Sequence, residues 1–537
     1  MTPQSSTEES NVSLGNLGIV AAAFDSLGIS ELIDMLLPKT RPHKLSHGDI
    51  VKAMVLNGLG FVERRLYFYC DYFLDLPRSR LFGKDLSATD FTDDVLGRTL
   101  DAIAEYGPTE LFNEVLVKCL PRSDYVTRCI HIDTTTFNVS GEYASDSDSC
   151  DVFITYGHSK DGRRDLKQFI LGMATDQCGI PLFLETFAGN ESDKKSILEI
   201  MQHLTDNLNN PEKVYHVADA AFYTADNLTT LGAHTFWITR VPVTLKEVKS
   251  LVSSDIELNQ CTDKRYQYAE YSSKYAGIPQ KWVMYQSEMQ QKRQERTFQK
   301  TLEKEKKAAE ISLRKLCAQP FACEEDTRRA TEMWLKEHQL FCFSSLEFQM
   351  ISRKKTKKRG RPTANEEMEE VHSVSAKIEY NEDEVQHRHQ KLGRFVLATN
   401  DLELKPNELL ALYKEQGTVE RGFRFLKDPS FRVSEIYLKK PSRIQALAMI
   451  MVLCLFIYSV TEFRLRQKLK ESGETVTGRD KKQTQKQTLK WVFTLFERVR
   501  VNQRRRKEKL KEKVVNMTPE LWKILKLMGK EYEKYYL

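Results

Sequence analysis

No C-x-x-C pair occurs among the ten cysteines, which are scattered at positions 70, 119, 129, 150, 178, 261, 317, 323, 342 and 454. Without paired spacing there is neither a disulfide framework nor the usual zinc pattern, so the chain reads as a reducing, cytosolic protein with no zinc site. Long apolar runs are missing as well. The nearest approach to a membrane span is 444–460, 17 residues with Gln445 inside it. Spans usually need about 20 apolar residues, so a buried core helix is the better reading. The start, M-T-P-Q-S-S-T-E-E-S, has no basic stretch followed by an apolar core, and no signal peptide is expected. No internal repeat is visible.

What is present is a chain of 537 residues, 41% hydrophobic and 29% charged, long enough for two to four domains with globular composition. Its net charge of +6 is unevenly spread. Residues 1–125 carry 12 Lys and Arg against 18 Asp and Glu, whereas 464–513 carry 18 against 6. A polyanion, with nucleic acid as the obvious example, therefore meets the C-terminal part more readily than the N-terminal part.

In chain order, 14–120 has apolar residues at helical spacing, with Ser46 as an N-cap. Short helices of this kind suit a DNA-end-binding module or a packing domain equally, and the acidic balance counts against phosphate tracking. From Tyr125 the texture becomes strand-like: R-C-I-H-I-D-T-T-T-F-N-V, L-K-Q-F-I-L-G-M-A-T-D and G-I-P-L-F-L-E-T-F-A-G. A helix near 193–208, the strand K-V-Y-H-V-A-D-A, a short helix at 224–232 and the strand T-F-W-I-T-R-V follow. Three antiparallel strands and then alternating helices and strands predict a mixed sheet covered by helices. The charged stretch 244–392 reads as an insertion, with a long helix-compatible segment at 291–316 and K-K-T-K-K-R-G-R-P at 354–362. The sheet pattern resumes at Arg394, and Pro406 opens a helix predicted to run on to Lys427, since Asp428 precedes Pro429. Thr518 and Pro519 mark a last helix start.

Three carboxylates carry the chemistry. Asp133 and Asp219 each end an apolar strand, where an open α/β sheet gathers functional groups. On the 406–427 helix, seven-residue steps set Tyr413, Glu420 and Lys427 on one stripe, with Gln416 and Arg424 close to it. A single Asp at a strand end is more often a turn former. Asp133, Asp219 and Glu420 together would make an all-oxygen site for Mg²⁺ or Mn²⁺, able to hold two ions roughly 4 Å apart astride a phosphate. His131, two residues before Asp133, is either a further ligand or a hydrogen-bonded core histidine.

At these residues the chain resembles the DDE transposases of prokaryotic insertion sequences, in the group with a Y-(2)-R-(3)-E-(6)-K signature. Tyr413, Gln416, Glu420 and Lys427 stand at that spacing, with Gln416 in place of the signature Arg. H-I-D-T-T-T-F around Asp133 and H-V-A-D-A-A-F-Y around Asp219 look like the family's first two acidic motifs. The 201 positions from Asp219 to Glu420 are similar to members whose core is interrupted by an insertion. G-H-S-K-D-G-R-R-D-L-K-Q and R-I-Q-A-L-A-M-I-M also look like this group.

The resemblance implies a multi-domain α/β protein with a ribonuclease-H-like mixed sheet flanked by helices. Its expected parts are a helical N-terminal domain (1–124), a core in two pieces (125–243 and 393–460), an insertion (244–392) and a basic helical C-terminal region (461–537). It also implies metal-dependent cleavage at element ends and strand transfer, catalysed by Asp133, Asp219 and Glu420 with two Mg²⁺ or Mn²⁺ ions. Tyr413, Gln416, Arg424 and Lys427 would contact DNA. The expected partners are double-stranded DNA, both terminal repeats and target, and a second copy of the chain on DNA, in a nucleoid setting with no membrane.

Other readings stay beside it. Lys160, Arg163 and Arg164 flank the turn dipeptide Asp161-Gly162 and either grip DNA or form a solvated basic loop. Arg359-Gly360-Arg361-Pro362 is either a minor-groove motif or a charged linker. An aspartate-nucleophile phosphatase would need D-x-D-x-T, and Thr135 stands where the second Asp belongs. A domesticated, binding-only element is the remaining alternative, kept open by Gln416.

Overall fold

The computed structural model describes residues 8–39, 44–60, 69–120, 127–141, 143, 154–207, 213–232, 235–354, 368–428, 438, 440–506 and 509–537. It divides into two compact units. The first comprises Met1–Thr239, Tyr275–Ile278 and Leu410–Leu537; the second comprises Arg240–Lys274 and Pro279–Leu409.

The first unit opens with strand β1 (Glu8–Ser13). Seven helices follow: α1 (Leu17–Ser26), α2 (Ile29–Leu36), α3 (His47–Leu59), α4 (Tyr69–Leu74), α5 (Arg78–Phe82), α6 (Asp93–Tyr106) and α7 (Pro108–Cys119). Ser46 and Asp49 form the capping box that starts α3, each side chain bonding the other's backbone N–H. The mixed sheet then begins with β2 (Cys129–Val139), β3 (Lys167–Asp176) and β4 (Pro181–Phe187), paired antiparallel in sequence. Helix α8 (Asp193–Asn207) crosses to β5 (Tyr215–Ala218), and α9 (Ala225–Leu231), capped by Thr224, leads to β6 (Phe236–Arg240). Strand β5 lies parallel to β2, and β6 parallel to β5, so the order in this unit is β4-β3-β2-β5-β6.

The second unit holds α10 (Lys246–Ser253), the antiparallel strands β7 (Asn259–Gln260), β8 (Tyr266–Ser273) and β9 (Gln280–Ser287), and the 31-residue α11 (Glu288–Ala318). Helix α12 (Glu324–Glu337) precedes a long ribbon of β10 (Phe341–Lys354) and β11 (Met368–Tyr380). The apolar stripe of α11, including Leu302, Ala309 and Leu313, packs with Trp334, Phe341 and Val374 in a core of its own. Arg359 and Arg361 fall outside the described residues. Helix α13 (Glu382–Gln390) and β12 (Arg394–Thr399), which pairs with β9, complete the series.

Next come α14 (Pro406–Lys414) and α15 (Gly417–Leu426), where the sequence predicted one continuous helix. The break has a local cause. Glu415 and Gln416 donate their N–H groups three residues back, to Leu412 and Tyr413, and Thr418 does the same to Glu415. These tightened bonds advance each residue by about 120° instead of 100°, and Gly417 adds little helical preference of its own. The stripe from Tyr413 to Glu420 is therefore not that of one straight helix.

Beyond them lie α16 (Pro441–Ser472), the short strands β13 (Val476–Thr477) and β14 (Gln483–Thr484), α17 (Leu489–Phe496), the hairpin β15 (Arg500–Arg506) and β16 (Lys509–Val515), α18 (Pro519–Met528) and α19 (Lys530–Glu533). Helix α16 is long and apolar enough to cross a membrane, but 78% of its apolar window is buried inside the fold, against α3, α6 and α7. The two ends of the chain share this core. Strand β1 pairs with β15, and the Tyr536 hydroxyl accepts from Ile19 N at 3.1 Å while donating to Gly15 O at 2.8 Å. A Cβ on Gly18 would lie 2.7 Å from the Tyr536 ring, so only glycine lets that ring seat.

Candidate active site

The parallel ladder sets Cys129 opposite Tyr215 and His131 opposite Val217; the same register carried two residues further brings Asp133 beside Asp219. Strand β5 stops at Ala218, which leaves the two carboxylates at the point where the ladder opens. Asp133 does not end its strand as expected. The β-branched Thr134, Thr135 and Thr136 continue the antiparallel ladder with β3 to Val139. Burial pushes the Asp133 carboxyl up to about 6; Lys160 and the Thr134 N–H, 2.7 Å from Oδ1, act against that, while Asp219 and Asp193 add to it. Asp219 is raised as well, again chiefly by burial, although its Oδ1 accepts the Ala221 N–H at 2.8 Å.

Two further residues join this cluster, of which only Asp193 went unread as a site residue in the sequence. Asp193, the first residue of α8, accepts from Thr134 Oγ1 at 2.6 Å. Lys160, read from the sequence as either gripping DNA or part of a solvated basic loop, sits among the carboxylates. Its Nζ is 3.2 Å from Asp193 and 4.0 Å from Asp133, and it donates to Thr134 O at 2.7 Å. Arg163, on the same turn, is paired with Asp165 at 2.8 Å, and Arg164 is exposed. Gly162 takes the left-handed φ of +76° that the turn requires.

Helix α15 packs on β2 and β3. A Cβ on Gly422 would come within 2.9 Å of the terminal methyl of Met173, the residue opposite Asp133 in the antiparallel ladder, so the helix lies close against the strand there. Glu420 is exposed, two residues before that contact. The charges that act most on Asp133 are Lys160, Asp219 and Asp193, and Glu420 stands outside that set. Tyr413 and Gln416 are half-buried, and Arg424 is exposed. Lys427 bonds both Asp161 oxygens, at 2.8 and 3.0 Å, with its Nζ 5.6 Å from the Phe137 ring centre. The end of the signature is thereby tied to the turn that carries Lys160.

Residues 124–457 match the family described as Transposase DDE domain. The chain belongs to that family. Residues 9–117 separately match a domain of unknown function, DUF4277. No curated protein matches the chain. The transposase core has the multi-domain α/β, ribonuclease-H-like architecture expected from the resemblance, a mixed sheet with helices and a helical N-terminal region. Membership implies DNA as partner and divalent metal ions as helpers.

His131, left open as ligand or core residue, is fully buried in this transposase. Burial and the nearby Arg421 lower it to about 4, so it is neutral near pH 7. Its Nε2 lies 3.2 Å from Cys129 Sγ.

Proposed function

We propose that the protein cleaves DNA at the ends of its own element and joins the freed 3′-OH to target DNA, with Asp133, Asp219 and Glu420 as the catalytic residues. The observation that carries the reading is the register that sets Asp133 beside Asp219 where β5 ends. The donor set fits hard cations. It is all oxygen, and its two aspartates hold protons more firmly than usual chiefly because they are buried, with neighbouring carboxylates adding to that. Asp133, Asp219 and Glu420 would hold Mg²⁺ or Mn²⁺, as two ions. Bound there, the ions supply a Lewis acid for the scissile phosphate and an activated nucleophile.

The chain's own groups do the rest. Lys160 holds the unneutralised cluster together through Asp193 and Asp133 and is placed to move toward a phosphate oxygen once that charge is offset. Lys427 binds the DNA backbone beside the cut after releasing Asp161, with Tyr413, Gln416 and Arg424 as further contacts and Arg163 and Arg164 on the adjoining turn. Arg359 and Arg361 serve as a minor-groove arm, and two copies of the chain bridge the element ends. Gln416 contributes a neutral hydrogen bond where the signature has a cation, which weakens one phosphate contact and leaves the metal ligands untouched.

The test is cleavage of duplex DNA carrying the element's terminal repeats, with Mg²⁺ or Mn²⁺ and with chelator. Wild type cleaves only with the ion, and Asp133→Ala, Asp219→Ala and Glu420→Ala each bind the DNA without cutting it. Full cleavage by any one of them removes that residue from the set. Gln416 favours a second reading, a defective element that only binds DNA; binding to the repeats with no strand cut under either ion would establish it.

A further inference from the structure

Four residues before Asp133 on the same strand stands a second group of donors, of different chemistry. Cys129 and His131 alternate onto one face of β2, both fully buried. Glu415 reaches them from the tightened turn between α14 and α15. Cys129 Sγ is 3.2 Å from His131 Nε2 and 3.4 Å from Glu415 Oε2, and the three donor atoms lie within 4.8 Å of one another. Tetrahedral zinc, with Zn–S about 2.3 Å and Zn–N about 2.05 Å, spaces sulfur and nitrogen ligands roughly 3.5 Å apart. The donors already stand near that separation.

We propose that Cys129, His131 and Glu415 form a site for a zinc-class ion, distinct from the acidic cluster, that clamps the α14–α15 turn to β2. A thiolate, an imidazole and one carboxylate select a borderline-soft ion over Mg²⁺. A Cys129 thiol that donates to Glu415 calls for the His131 tautomer with its proton on Nε2, toward the sulfur, and Nδ1 is then a buried acceptor with no partner among the described residues. Binding replaces the S–H bond with a metal–sulfur bond, and the thiol proton leaves to solvent. The imidazole proton shifts from Nε2 to Nδ1, freeing the Nε2 lone pair. Water takes the fourth position, or Cys178 does; that residue, on the turn after β3, is an electrostatic neighbour of both Cys129 and Glu415. The clamp fixes the start of α15, the helix that bears Glu420.

Co²⁺ is the probe, added to the full reduced chain in excess Mg²⁺. One equivalent should bind and give a thiolate-to-cobalt charge-transfer band with the visible bands of a tetrahedral ion, displaced by Zn²⁺. The band should vanish in Cys129→Ser, and affinity should drop roughly tenfold or more in Glu415→Gln. It should survive in Asp133→Asn/Asp219→Asn, a result that does not depend on whether the protein cuts DNA. No charge-transfer band in wild type, a band that persists in Cys129→Ser, or its loss in the double aspartate variant would each overturn the proposal. Should Cys129→Ser not fold, Glu415→Gln, at an exposed position, decides alone, and unchanged affinity there rejects the site.

Discussion

Strand β2 carries two clusters side by side, and they differ in donor type and in what holds them. Around Asp133 every donor is a carboxylate oxygen, and Lys160 is the counter-charge. Around Cys129 the donors are sulfur, nitrogen and one oxygen, joined by a chain of hydrogen bonds, with Arg421 as a nearby cation. The acidic cluster gathers at the open end of a parallel ladder, where backbone pairing stops and side chains can reach a substrate. The soft cluster lies where β2 is still paired to β5, and from Ile130 on to β3 as well, and Glu415 reaches it from the α14–α15 turn. Position along a single strand thus separates a site suited to turnover from one suited to holding elements together.

The largest expected effect separates the two directly. Asp133→Asn or Asp219→Asn should reduce cleavage by roughly 10³-fold or more while end binding changes by less than about threefold, measured on the same labelled duplex. Cleavage within tenfold of wild type would mean that the acidic cluster is not the reacting centre. Next in size is Asp193→Asn. If Asp193 acts by holding Lys160 and Thr134 in place, the loss should be about 10- to 100-fold, the range for groups that orient ligands rather than serve as ligands. A loss as deep as that of Asp133→Asn would make it a ligand in its own right. Smaller again are the phosphate contacts. Lys427→Ala should lower the salt dependence of DNA binding by about one ion, and Gln416→Arg should raise it by about one. An unchanged slope in both would place the DNA elsewhere than beside α15.

Much of the acidic site was legible from sequence because its signals are local. Alternating β-branched runs marked β2, β3 and β4, helix caps at Ser46 and Thr518 lay within three residues of their partners, and Asp219 followed its own strand, whereas Asp133 lies inside β2 rather than at its end. The rest depended on residues far apart in the chain. Asp193 read only as a helix start, since its bond to Thr134 spans 59 positions. Glu415 lies 286 positions from Cys129, beyond any spacing rule for metal ligands. The single helix expected from Pro406 to Lys427 failed for another reason: the apolar pattern continues through Glu415 and Gln416, and only the switch to three-residue hydrogen bonds breaks it. The shared core of the two chain ends is the extreme case, with Tyr536 bonded to Gly15 across 521 positions.

The smallest effect tests how far the charge of Glu415 reaches beyond the soft cluster, to Asp176. Asp176 closes β3, and its Oδ1 accepts N–H groups from Cys178 at 2.8 Å and Ile180 at 2.7 Å, while its Oδ2 is buried with no partner among the described residues. Burial pushes its carboxyl up to about 7, the backbone donors oppose this, and the Glu415 charge adds to it. An unfolded Asp titrates near 3.9, so between about pH 4 and 7 the folded protein holds a proton that the unfolded chain does not. That contribution to stability is therefore complete below about pH 4 and lost as pH rises through about 7. Asp176→Asn keeps the Oδ1 acceptor and removes the ionisation. Its thermal midpoint should fall by a few degrees less than that of wild type between pH 5 and 8, since Asp133 and the other raised carboxyls still titrate there, followed by scanning fluorimetry without added metal. Glu415→Gln should shift the wild-type fall toward higher folded stability at pH 7, because one of the charges raising the Asp176 proton affinity is gone. Identical pH profiles for wild type and Asp176→Asn would show that this carboxylate is already solvated, and with it the edge of the sheet on which the soft cluster rests.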